Sequence, residues 1–126
     1  MNTDREALNK ISERVIGCAY AVGNALGSGF LERVYENSLA HELRKTGLQV
    51  IQQHAIAVKY DGAVVGDYVA DLLIEQKVLT EVKAVRALDD VHKAQCLNYL
   101  KGTGLSLCLL INFGNLRVEV KRIIQD

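Results

Sequence analysis

The chain has 126 residues, 49% of them apolar and 24% charged, the size and composition of one globular domain with a core of its own. Its 15 basic residues match its 15 acidic ones, which excludes the basic excess that marks most nucleic-acid binders and leaves any such binding to a local patch. No apolar run approaches the roughly 20 residues of a bilayer span, and the N-terminus enters an amphipathic pattern instead of a signal peptide.

The first helix is predicted to start at a capping box, Thr3-x-x-Glu6, where hydroxyl and carboxylate satisfy free amide donors. Leu8, Ile11, Val15, Val22 and Leu26 recur at helical spacing, and Gly27-Ser28-Gly29 stops the helix. A second helix spans about Phe30 to Lys45, with Leu31, Val34, Leu39 and Leu43 toward a core, and ends at Thr46-Gly47. The period then changes. Val50 to Tyr60 reads as a strand, Asp61-Gly62 as a hairpin turn and Val64 to Ile74 as the partner strand. Glu75-Gln76-Lys77 is a polar break before a third strand, Val78 to Val85. A helix from Asp89 or Asp90 to Lys101 is predicted to end at Gly102. Leu105 to Ile111 carries no charge, as in a strand buried on both faces of a helix-covered sheet, and Arg117 to Ile124 suits a final edge strand. The order is ααβββαβ(β). With no proline, linker or repeat, residues 1–126 are expected to form a single domain. Cys18, Cys96 and Cys108 are odd in number, far apart and without zinc-site spacing. Their apolar surroundings predict buried, reduced thiols and a cytoplasmic home.

The chemistry concentrates on the second and third strands. If Glu75-Gln76-Lys77 is a three-residue loop, Ile74 and Val78 close the hairpin, and counting outward sets Asp71 opposite Glu81. Directly opposed side chains lie about 5 Å apart. Two carboxylates there repel each other unless a cation lies between them. Lys83, two residues past Glu81, shares that face. Mg²⁺ is usually held by one or two carboxylates, waters and substrate phosphate. Here it would lower the pKa of bound water and stabilise charge building on phosphorus. Lys83 would position or deprotonate the attacking water, or neutralise the transition state. The plain alternative is a solvated cross-strand charge pattern, and a one-residue slip in register would undo the pairing.

Gln95 and Tyr99 lie one turn apart on the following helix, where both could hydrogen-bond water or phosphate; Tyr99 also suits a core position. His92, a turn earlier, suits a surface or capping role. Glu32 and Tyr35 sit near the start of the second helix, where an acid is also stabilised by the helix dipole alone. Spacing does not bring that helix to the hairpin.

Taken together, Asp71, Glu81-Val82-Lys83 and Gln95-x-x-x-Tyr99 resemble the PD-(D/E)XK nuclease superfamily, its RecB-type branch in particular. The chain is more closely similar to the GxxExxY family, matched here by Gly29, Glu32 and Tyr35. The similarity runs from Ile11 to Ile124 and includes Ala94-Gln95 with Asn98-Tyr99-Leu100, and Leu110-Ile111-Asn112-Phe113-Gly114. Ala70 stands where the superfamily's naming proline would be; Gly23, Ser28 and Cys108 also depart from relatives, away from the ligands. The resemblance implies a restriction-endonuclease-like αβββαβ core, a mixed central sheet flanked by helices, and an extra N-terminal helix. It implies Mg²⁺ or Mn²⁺ on Asp71, Glu81 and the Val82 carbonyl. Lys83, Glu32, Gln95 and Tyr99 would be catalytic, with Tyr35 and Lys93 toward the substrate.

The function expected is a metal-dependent nuclease cutting DNA, or RNA, by metal-activated water. The alternative is an idle nucleic-acid-binding or assembly module that keeps the fold, motivated by zero net charge and small size. Such a domain would gain contact area from a homodimer or another partner. A phosphoesterase acting on small nucleotides would differ only in pocket shape.

Overall fold

The computed structural model describes residues 2–125. In chain order it contains α1 (Asn2–Leu26), α2 (Glu32–Lys45), β1 (Val50–Tyr60), β2 (Ala63–Ile74), β3 (Val78–Lys83), α3 (Asp90–Thr103), β4 (Leu107–Asn112) and β5 (Glu119–Ile124). The strands form one sheet in the order β1-β2-β3-β4-β5. All pairs are antiparallel except β3 with β4. That parallel pair follows from α3, which carries the chain across one face between the two strands.

The sheet separates two cores. On one face, Val15, Val22, Leu39 and Leu43 of α1 and α2 pack on Leu72, Ile74, Val82, Leu109 and Ile111. On the other, Cys96, Tyr99 and Leu100 of α3 pack on Ile56, Leu73, Leu79, Cys108 and Leu110. Every residue of β4 is buried, as its uncharged sequence requires of a strand covered on both faces. All three cysteines are buried and free.

Several boundaries differ from those expected. α1 begins at Asn2, and the capping bonds predicted for the Thr3 side chain lie outside the described residues. α2 starts at Glu32, and its buried face is Tyr35, Glu36, Leu39, Ala40 and Leu43. Leu31 and Val34, expected in the core, are exposed. Leu39 and Leu43 are buried as expected, and in the first turns the buried positions are Tyr35 and Glu36. α3 continues past Gly102 and ends at Gly104, whose φ of +75° closes the helix. Gly102 serves packing instead: a Cβ there would lie 2.8 Å from Ile56 Cγ2 on β1. β3 ends at Lys83, two residues early, because the Asn112 side chain takes both backbone groups of Val85. Its Oδ1 accepts from Val85 N–H at 2.9 Å, and its Nδ2 donates to Val85 C=O at 2.9 Å. Gly114 lets the same segment approach, since a Cβ would meet Val85 O at 2.1 Å.

Candidate active site

The β2–β3 hairpin has the register that its three-residue loop requires: Ile74↔Val78, Leu73↔Leu79 and Leu72↔Thr80. There the ladder stops. At the next position the Asp71 N–H donates to Glu81 Oε1 at 3.3 Å, and the Val82 N–H donates to Asp71 Oδ2 at 2.8 Å. Each carboxylate therefore takes a backbone donor of the opposite strand in place of a ladder bond. The same level is irregular on the other side of β2. Gln53 falls opposite Asp71, between the pairs Gln52↔Leu72 and His54↔Ala70, without a ladder pair and with φ at +53°. Side-chain alternation changes phase there. Leu72 and Ile74 pack with the α1–α2 core, whereas Ala70 joins the α3 core and Tyr68 meets the Tyr99 ring. Asp71 sits where the two strands turn over.

Glu81 is only 4% exposed. The Tyr99 hydroxyl donates to its Oε2 at 3.4 Å, and Lys83 Nζ lies 3.5 Å from the same oxygen. Burial, reinforced by the nearby Asp71 charge, pushes the Glu81 carboxyl from 4.5 up to about 7. Burial also raises Asp71, with Glu36 repelling its charge; the Val82 and Gln53 hydrogen bonds act the other way. Burial and the facing acids raise the Tyr99 phenol, so it remains an O–H donor. Two acids thus meet one lysine at the end of the ladder, an excess of negative charge that suits a divalent cation. Among the described residues no group of three His, Cys, Asp or Glu could hold a metal. A cation here would rest on the two carboxylates, waters and substrate, which is how Mg²⁺ is commonly bound.

The other residues expected at the site divide. Glu32 comes to the hairpin: its Oε2 accepts from the Ala84 N–H at 3.3 Å, next to Lys83. The Val82 group that meets the pair is its N–H. Gln95 is half-buried on α3, one turn before Tyr99, and makes no hydrogen bond among the described residues. Lys93 points away, about 200° around the helix from Gln95 at 3.6 residues per turn. Its ammonium lies 4.0 Å from Asp90, on the rim. His92 caps α3: its Nδ1 accepts from the Asp89 N–H at 3.1 Å.

Tyr35, expected at the substrate surface, is fully buried. Its ring stacks on Phe113 at 4.7 Å, and its hydroxyl donates to Gly27 O at 2.6 Å while accepting from the Phe30 N–H at 3.2 Å. It ties down the turn that delivers Glu32. We expect Tyr35→Phe, which loses both hydroxyl bonds, to lower stability by about 1 to 3 kcal/mol, and any nucleic-acid affinity to stay unchanged because the residue is buried. Chemical denaturation beside a binding titration checks both halves.

Three further polar residues stand around the site beyond those the motifs pointed to: Glu36, Gln53 and Asn112. Glu36 is an acid on the apolar stripe of α2, and Gln52-Gln53 places two adjacent amides in β1. Both oddities are visible in the sequence once the helix face is drawn correctly.

The model of the PD-(D/E)XK nuclease superfamily matches residues 9–123. Two solved structures resemble the fold. The protein SSO0001 is 18% identical with a TM-score of 0.59, over 98% of this chain and 61% of that one. An alkaline exonuclease from Laribacter hongkongensis is 14% identical with a TM-score of 0.53, over 86% of this chain and 76% of that one. This chain therefore spans less than two thirds of SSO0001. No curated protein matches the sequence. The five-strand mixed sheet flanked by helices is consistent with the restriction-endonuclease-like fold.

Proposed function

The chain belongs to the PD-(D/E)XK nuclease superfamily, and from that premise we propose that it is a metal-dependent nuclease hydrolysing phosphodiester bonds of DNA. Within the superfamily we place it in the GxxExxY family, on Gly29, Glu32 and Tyr35, as one domain over residues 1–126. The observation that carries the reading is the convergence of Asp71, Glu81 and Lys83 where the β2–β3 ladder ends. Mg²⁺ or Mn²⁺ held by Asp71 and Glu81 would supply Lewis acidity toward phosphate and water. Lys83 would then orient the nucleophilic water or neutralise charge on the reacting phosphate. Tyr99 keeps Glu81 aimed by donating to it, and Gln95, whose amide makes no hydrogen bond among the described residues, would meet water or phosphate. Glu32 adds an acid at the end of β3. The three free cysteines fit a reducing compartment, and we place the protein in the cytoplasm.

A second reading, an idle nucleic-acid-binding or assembly module, is favoured by the zero net charge, since no overall field draws in a polyanion. Contact area would then come from a homodimer or another partner. Two measurements separate the readings. Purified protein with Mn²⁺ should cut single-stranded, duplex or branched DNA and stop on chelation. Calorimetry should give Mn²⁺ binding that vanishes in Asp71→Asn. Cleavage of RNA alone would move the substrate; neither cleavage nor Mn²⁺ binding would leave the module reading standing.

A further inference from the structure

Gln53 occupies a costly place. Its φ of +53° lies in the left-handed region, which favours glycine or asparagine and penalises a long side chain. The side chain spans two acids. Its Nε2 donates to Glu36 Oε1 at 2.7 Å and to Asp71 Oδ1 at 3.2 Å. With carboxylates as both acceptors, the amide must turn its NH₂ and not its oxygen toward them. Glu36 is itself held: it is 3% exposed, accepts from Gln52 Nε2 at 2.8 Å through Oε2, and has Arg33 Nε at 3.6 Å from Oε1. Asp71 Oδ2 is committed to the Val82 N–H on the far side. The Asp71 carboxylate is thus gripped from both sides, one grip coming from β3 and the other from α2 through Gln53.

We propose that Gln53 is a positioning residue that, anchored on Glu36, clamps the Asp71 carboxylate at the place where β2 leaves its ladder. The left-handed backbone is what brings an edge-strand side chain inward to reach it. An amide suits the task, because it neutralises neither acid and leaves the site's negative charge for a cation. The metal-binding consequence rests on the nuclease reading; the clamp itself does not.

The informative variant is Gln53→Gly. Glycine adopts positive φ freely, so relief of the backbone offsets the hydrogen bonds to Glu36 and Asp71 that go with the side chain. Gln53→Asn keeps an amide and tolerates the backbone, but is one methylene too short to bridge. In metal-free protein, exchange of the Val82 amide hydrogen should rise about two- to tenfold in both variants, the effect of loosening one hydrogen bond's acceptor. In calorimetry, Mn²⁺ affinity should fall about 10- to 100-fold, the usual effect of removing a residue that orients a metal ligand. The melting temperature of Gln53→Gly should change little, backbone relief standing against the lost Glu36 bond. Unchanged Val82 exchange in both variants overturns the clamp. Raised exchange with wild-type protein that binds no Mn²⁺ keeps the clamp and overturns the metal reading. A melting temperature that falls in step with affinity assigns Gln53 to the scaffold instead.

Discussion

Lys83→Ala is expected to cut the rate of phosphodiester cleavage by about 10² to 10⁴-fold, the range for losing a positioned proton-transfer or charge-stabilising group. The side chain is 15% exposed and its ammonium lies 3.5 Å from Glu81 Oε2, so it is held at the carboxylate pair and not swung into solvent. It belongs to no structural ion pair beyond that one among the described residues, and the fold should survive its loss. The variant should still bind Mn²⁺ at pH 8, whereas Asp71→Asn should lose both binding and cleavage. Single-turnover cleavage with calorimetry separates these outcomes. A Lys83→Ala protein that cuts as well as wild type would remove lysine from the chemistry and leave the cluster a charge pattern.

Glu81→Gln is expected to stabilise the metal-free protein at pH 8 by about 1 to 3 kcal/mol. The folded carboxyl titrates near 7 and the unfolded one near 4.5. Below pH 4.5 both states hold the proton and Glu81 carries no penalty. Between 4.5 and 7 the unfolded chain has released its proton while the folded state keeps it, so stability falls as pH rises. Above 7 the full penalty is present, roughly 3 kcal/mol at 1.36 kcal/mol per pKa unit. Loss of the Lys83 contact trims the gain, hence the lower bound. Urea denaturation in chelator should show the advantage at pH 8 shrinking toward zero at pH 4.5. Saturating Mn²⁺ should reverse the order, since only wild type would gain binding energy, about 2.7 kcal/mol at a hundred times Kd. By the same titration, Mn²⁺ affinity of wild type should weaken as pH falls below about 7.

Both effects arise because a buried acid pair is poor architecture without a cation. A sheet built for stability alone would not face Asp71 with Glu81. The cost is local: it sits where the β2–β3 ladder is already broken, and the lost backbone bonds are replaced by carboxylate acceptors. Tyr99 and Lys83 share the remaining Glu81 oxygen, Oε2, and Gln53 takes the remaining Asp71 oxygen, Oδ1. This consumes the available protein partners and leaves the net negative charge.

Much of the architecture is legible in periodicity, because hydrophobic spacing and turn residues act locally. The β1 bounds Val50–Tyr60, the Asp61-Gly62 turn and the β2–β3 register all follow from the chain read alone. The α2 face is legible only in its second half: Leu39 and Leu43 are buried as expected, whereas Leu31 precedes the helix and Val34 lies beside its buried stripe. Glu36 is hidden from such a reading because an acid on a buried stripe breaks the apolar pattern, and the substrate-facing place that the resemblance implies for Tyr35 gives way to full burial. Gly102 looked like a stop signal because a glycine needed for close packing and one needed for positive φ are the same letter.

By itself, then, the sequence determined the order of elements, the hairpin register and the pairing of Asp71 with Glu81 and Lys83, all set by short-range geometry along two strands. The tertiary structure alone decided how far the ladder runs, that α2 reaches the hairpin through Glu32 and Glu36, and that Gln53 turns inward to hold Asp71. Those depend on where separate elements meet, and on backbone turns whose cost is recovered only by partners distant in the chain.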